Sequence, residues 1–177
     1  VDMVTGMNAV QGILLAIHHR EKSGAGQFIE AALFDSALSL LHPHVANFAM
    51  SGKLPNLTGN DHPNISPYST YATGGRPIYL SVGNNRQFSR LCEGIGAAQI
   101  ADDPRFATNE LRVNNRAELR VVLESAMADL DGAELADDLI SAGVPAGPVL
   151  DVGEALAHPH TAHREMTVDM DEYRGLG

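Results

Sequence analysis

The chain has 177 residues, 44% of them hydrophobic, enough for one large or two small packed domains. A formal net charge of -10 argues against a protein that tracks nucleic-acid phosphates or lies on an anionic membrane, since both tasks need basic patches. The single cysteine, Cys92, excludes an intrachain disulfide and a cysteine-rich metal site, and points to a reducing compartment, the cytoplasm.

The first predicted element is a helix from about Met3 to His19. It is apolar on nearly every face, through Met3, Met7, Val10, Ile13, Leu14 and Ile17, as expected of a helix buried by other elements. Thr5, Asn8 and Gln11 interrupt the apolar run, which is too short to span a bilayer. Asp2 stands at its mouth, with nothing else ionisable until His18. A helix cap accounts for such a residue, because aspartate there accepts unpaired backbone N–H groups and complements the helix dipole. A nucleophile also accounts for it: a carboxylate ionised at neutral pH attacks a reactive acyl compound without a general base, which suits thioesters. With no initiator methionine and helical residues from the third position, the chain reads as having lost what preceded it.

Ser23-Gly24-Ala25-Gly26 stops this helix. Gln27 to Phe34 reads as a strand of a sheet buried on both faces, and it needs partner strands that the rest of the chain does not obviously supply. Asp35 or Ser36 is expected to cap a second helix carrying Leu38, Leu41, Val45 and Phe48, ending at Ser51-Gly52. Between Lys53 and Arg76 the texture turns to Pro, Asn, Gly and Ser, which marks a domain crossing.

Ser69 to Ala72 and Pro77 to Val82 read as antiparallel strands joined across Gly74-Gly75. The polar turn Gly83-Asn84-Asn85-Arg86-Gln87 opens a helix to about Glu93. Its N–H groups and amides either cap that helix or meet an anion or a developing oxyanion. Two further helices follow, one with Leu119, Val122, Leu123, Ala126, Met127 and Leu130 on one side, the other to Ala142 with Leu135, Leu139 and Ile140 inward. Gly143 to Val149 is extended, Val152 to Ala157 is a short helix, and Met166 to Met170 is a strand. His158, His160 and His163 crowd into six positions, but no carboxylate stands in matching register, so they read as solvated loop residues and no metal is expected.

Taken in order, several of these stretches resemble the class III CoA-transferases, the carnitine dehydratase family that includes L-carnitine CoA-transferase, formyl-CoA transferase and the bile-acid-inducible protein F. The resemblance rests on Asp2 to Met7, His19 to Gln27, His62 to Tyr68 and Val82 to Phe88. It continues through Asp103-Pro104-Arg105-Phe106 with Asn109 and Arg112-Val113, and through Ala142 to Val149. No single motif decides; their joint order over nearly the whole chain is specific.

The resemblance implies that Asp2 is the catalytic nucleophile. It would form an acyl–aspartyl anhydride from an acyl-CoA donor, then an aspartyl-CoA thioester that passes CoA to a carboxylic acid. It implies that Gly83, Asn84, Asn85, Arg86 and Gln87 bind substrate, lying where formyl-CoA transferase has a glycine-rich flap over the active site, although Asn84, Asn85 and Arg86 depart from its glycines. The family's racemases of 2-methylacyl-CoA carry a catalytic glutamate in that loop, and none stands here. The implied fold is α/β: a Rossmann-like large domain and a smaller α/β domain in an interlocked homodimer. Residues 1–55 would be a piece of the large domain, 56–150 the small domain and 151–177 a segment returning to the large one. Coenzyme A enters as substrate, with most of its pocket outside these residues, so the chain alone is expected to be inactive. The reading from another class is a non-catalytic binding or assembly module.

Overall fold

A computed structural model describes residues 1–169 and 174–176, and it divides into two compact units, Val1–Leu57 and Thr58–Gly177. Three helices make up the first unit: α1 (Asp2–Ser23), α2 (Leu33–Leu40) and α3 (His44–Ser51). Gly24 ends α1 in the left-handed conformation, φ 73°, with its N–H returned to the Arg20 carbonyl.

Several expectations fail in this unit. Residues 25–32 form no strand. An apolar extended segment holds a ladder only beside another strand, and residues 1–57 contain none. The second helix is broken in two, because Pro43 has no N–H to continue the ladder from α2 into α3. It starts earlier than expected, with Ala32 as its cap and Asp35 in its first turn, while Ser36 is buried and accepts a hydrogen bond from Asn8 Nδ2 at 3.1 Å. The burial expected of α1 is also not met within the unit, where none of its side chains is buried and Leu14 and Leu15 remain 60% and 68% exposed.

The second unit has a core. Strands β1 (Tyr68–Tyr71), β2 (Ile78–Ser81) and β3 (Ala146–Pro148) form one antiparallel sheet in that order, with Tyr71 opposite Ile78 and Leu80 opposite Ala146. The helices are α4 (Asn85–Gly94), α5 (Asn109–Asn114), α6 (Arg116–Met127) and α7 (Gly132–Ser141), with 3₁₀ turns at Ala98–Ile100 and Pro104–Phe106. Ile78, Leu80, Val82, Leu91, Phe106, Leu119, Leu123, Met127 and Leu139 are fully buried, so apolar periodicities from separate segments converge on one cluster. Ile140 is a correction, being 53% exposed, because one helix face cannot place adjacent residues 139 and 140 both inward. Leu130 lies beyond the end of α6 but packs against the same cluster.

Beyond β3 come α8 (Val152–Ala157) and α9 (Pro159–His163), then β4 (Thr167–Asp169) paired with β5 (Arg174–Leu176). Asp151 and Glu154 form a reciprocal capping box at α8, and Glu154 also holds Arg76 through a two-pronged ion pair. The expected loop histidines His160 and His163 instead belong to α9, and they are exposed. Met170, expected to end a strand, lies outside the described residues. No described helix is long and apolar enough to cross a membrane.

Candidate functional site

Asp2 belongs to the first unit and Gly83–Gln87 to the second. Asp2 is not the cap of α1; that place is taken by Val1, and Asp2 is the first helical residue. Its side chain is exposed and has no hydrogen-bond or ion-pair partner among the described residues. The surface around it is apolar, lined by Met3, Gly6, Met7 and Val10 with Gln11 one turn on. A carboxylate in the first turn sits where the positive end of the helix dipole favours its charge. This arrangement leaves both carboxylate oxygens available to an electrophile. Among the described residues no group of three or more His, Cys, Asp or Glu could hold a metal ion.

In the second unit the turn is built by its own side chains. Asn84 is the cap of α4, with extended backbone, and its Oδ1 accepts from Gln87 N at 3.0 Å. Gln87 answers by accepting from Gly83 N through Oε1 at 2.8 Å, which closes the turn. Asn84, Asn85 and Arg86 are exposed, Gln87 is half-buried, and Phe88 behind them enters the core. The turn is therefore fixed at its base and open at its face.

The base is held from outside by Arg112 of α5. This side chain is completely buried. Its Nε donates to the Ser66 carbonyl at 2.8 Å, one terminal nitrogen to the Phe106 carbonyl at 3.0 Å, and the other to Asn85 Oδ1 at 3.0 Å. Its guanidinium also lies over the Phe88 ring, 4.5 Å from the centroid. Burial draws the guanidinium below its ordinary pKa, opposed by Cys92, and none of the ion pairs among the described residues includes it. One turn before it on α5, Asn109 donates to the Asn64 carbonyl at 2.8 Å and accepts from Ser66 N at 3.2 Å. The segment from Asp103 to Arg112 thus fastens the 64–66 loop beside the 83–87 turn. The spacing Asn109-x-x-Arg112 is the only signal of this in the sequence, and it does not show that the arginine is buried.

A second cationic group serves the 61–71 hairpin edge. Arg120 donates to the Thr70 carbonyl and to Asp61, Glu124 and Ser69, and lies over Tyr71, whose phenol is pushed up to about 12, chiefly by burial. The terminal nitrogens of Arg120 are thus engaged within the unit, whereas Asn84, Asn85 and Arg86 of the turn are exposed.

The profile of CoA-transferase family III matches residues 1–176. The chain is 37% identical over 174 residues to a succinate–glutarate CoA-transferase of Agrobacterium fabrum, covering 98% of this chain and 44% of that protein. It is 36% identical over 167 residues to an acetyl-CoA:oxalate CoA-transferase of Acetobacter aceti, covering 94% and 43%. Among solved structures, a CaiB/BaiF family protein from Brucella suis matches with a TM-score of 0.77 at 38% identity, over 98% of this chain and 46% of that one. The chain spans less than half the length of these relatives.

Proposed function

The chain belongs to CoA-transferase family III, and we propose that the protein it is part of moves CoA from an acyl-CoA to a carboxylic acid with Asp2 as nucleophile. The observation that carries this reading is the exposed carboxylate of Asp2 at the head of α1, which has no partner among the described residues. The relatives are named for oxalate, succinate and glutarate, so a short dicarboxylic acid is the substrate class we assign.

An Asp2 oxygen attacks the thioester carbonyl; the C–S bond breaks and CoA leaves as thiolate, giving a mixed anhydride. The thiolate attacks the aspartyl carbonyl and releases the donor acid. The acceptor carboxylate then attacks the aspartyl-CoA thioester, and the released thiolate takes the acceptor acyl group from the second anhydride, restoring Asp2. Each step exchanges one acyl bond for another, so no net proton, electron or metal is required. Gly83, Asn84, Asn85, Arg86 and Gln87 would bind the substrate acid. In this reading residues 1–55 form part of a larger Rossmann-like domain, 56–150 a small domain and 151–177 a return to the large one, in a homodimer.

The test is trapping. Complete protein incubated with acyl-CoA and hydroxylamine should carry a hydroxamate on Asp2, detected by peptide mass spectrometry. Turnover that persists with no adduct at Asp2 overturns the assignment. Exchange of the α-hydrogen of a 2-methylacyl-CoA without CoA transfer would identify a racemase instead.

A further inference from the structure

Arg112 is expensive where it stands. A guanidinium buried without a carboxylate partner costs stability that an apolar side chain of similar size would not, so packing alone does not account for it. What it does is connect three segments through three directed bonds, to Ser66, Phe106 and Asn85. Two of these acceptors are backbone carbonyls, but the third is the side chain of a residue on the exposed face of the turn.

The chemistry of that third bond fixes an orientation. Arginine has donors only, so the Asn85 atom facing it must be the carbonyl oxygen, and the amide nitrogen lies on the other side of the planar group. Asn85 Nδ2 has no partner among the described residues, and Asn85 is exposed. A free asparagine samples both orientations and offers an acceptor as readily as a donor; this one offers a donor.

We propose that Arg112 is a positioning residue for the substrate-facing turn, holding the Asn85 amide with Nδ2 outward to donate to a carboxylate oxygen of the acid substrate. The assignment rests on the reading of Gly83–Gln87 as substrate-binding. It supplies that turn with a directed donor in the place where a glycine has only backbone to offer.

Two variants of the complete protein separate positioning from support. Asn85→Asp keeps an oxygen for Arg112 but turns the outward donor into an anionic acceptor. It should unfold no earlier than wild type in urea, while KM for a dicarboxylate such as succinate rises about ten- to hundredfold with kcat little changed, as when a hydrogen bond to a charged substrate is lost. Arg112→Lys keeps a charge but cannot make the three-way fork, and should lower the unfolding midpoint and raise the same KM. Asn85→Asp with wild-type KM overturns the proposal, as does Arg112→Lys with wild-type KM in folded protein. If the wild-type protein transfers no CoA, the functional reading fails, and the inference is then read by the Asn85 side-chain amide resonance during titration with succinate. A saturable shift that is absent in Arg112→Lys supports it, and no shift overturns it.

Discussion

Gly132→Ala should destabilise the second unit, although the helix propensity of alanine argues the opposite. Gly132 is the first residue of α7, where replacing glycine by alanine gains at most the roughly 1 kcal/mol found in a helix interior. Here an added Cβ would lie 1.9 Å from the Arg76 carbonyl oxygen and 2.9 Å from Thr73 Oγ1. Heavy atoms settle about 3.5 Å apart, so the shorter contact must open by about 1.5 Å. The obstacle is backbone, and Thr73 Oγ1 donates to that same carbonyl at 2.7 Å, so no side-chain rotation relieves it. Moving the first turn of α7 instead disturbs the Asp131 cap, which accepts from Ala133 N and Glu134 N at 2.9 and 3.1 Å. Overpacking costs about 1–3 kcal/mol and a weakened cap about 1 kcal/mol, so the net loss is about 2 kcal/mol after the propensity gain. With a urea slope of about 2 kcal/mol per molar, the unfolding midpoint should fall by about 1 M, read by circular dichroism on complete protein. An unchanged or higher midpoint would refute the reasoning.

Asp2→Asn should lower CoA transfer by at least about a thousandfold while leaving the free energy of unfolding within about 0.5 kcal/mol, because the side chain has no hydrogen-bond or ion-pair partner among the described residues; residual activity within tenfold would count against the nucleophile. Arg76 and the Asp151 backbone hold the Glu154 carboxyl down at about 2 from an ordinary 4.5. A lowered folded-state value contributes stability above about pH 4.5 that is lost as pH falls toward 2, so Glu154→Gln should flatten the acid limb of stability in that window. A variant curve parallel to wild type would dismiss the pair. Burial pushes the Cys92 thiol up to about 12, so native protein at pH 8 should not react with an aromatic disulfide reagent, whereas unfolded protein should titrate one thiol; rapid reaction of the native protein would contradict the burial.

Most of the second unit was legible in the sequence because its elements are local and its apolar residues fall on one face of each. The two strands expected at Ser69–Ala72 and Pro77–Val82 do pair antiparallel, with bounds Tyr68–Tyr71 and Ile78–Ser81, and Gly74 and Gly75 lie in the connection between them. The turn before α4 was legible for the same reason, since Asn84 and Gln87 stand at capping distance. The first unit misled because its apolar residues lack a sided pattern: Phe28 and Ile29 have strand composition, yet residues 1–57 hold no strand to pair with them. Arg112 stands out in the sequence only as part of a motif, and its burial is not legible there because charge ordinarily predicts exposure. Only its contacts with Ser66, Phe106 and Asn85, two of them more than twenty residues away in sequence, explain its burial.

The side-chain closure of the Gly83–Gln87 turn also bears on the thermodynamics of binding. A glycine-rich loop is disordered over many backbone states and gives them up each time it settles on a ligand. Here Asn84, Gln87 and Arg112 restrict those states when the protein folds, so under the proposed substrate-binding role of the turn that entropy would not be lost again at each binding event. Calorimetry of acid binding should accordingly show a smaller entropic penalty than in a relative with glycines at these positions.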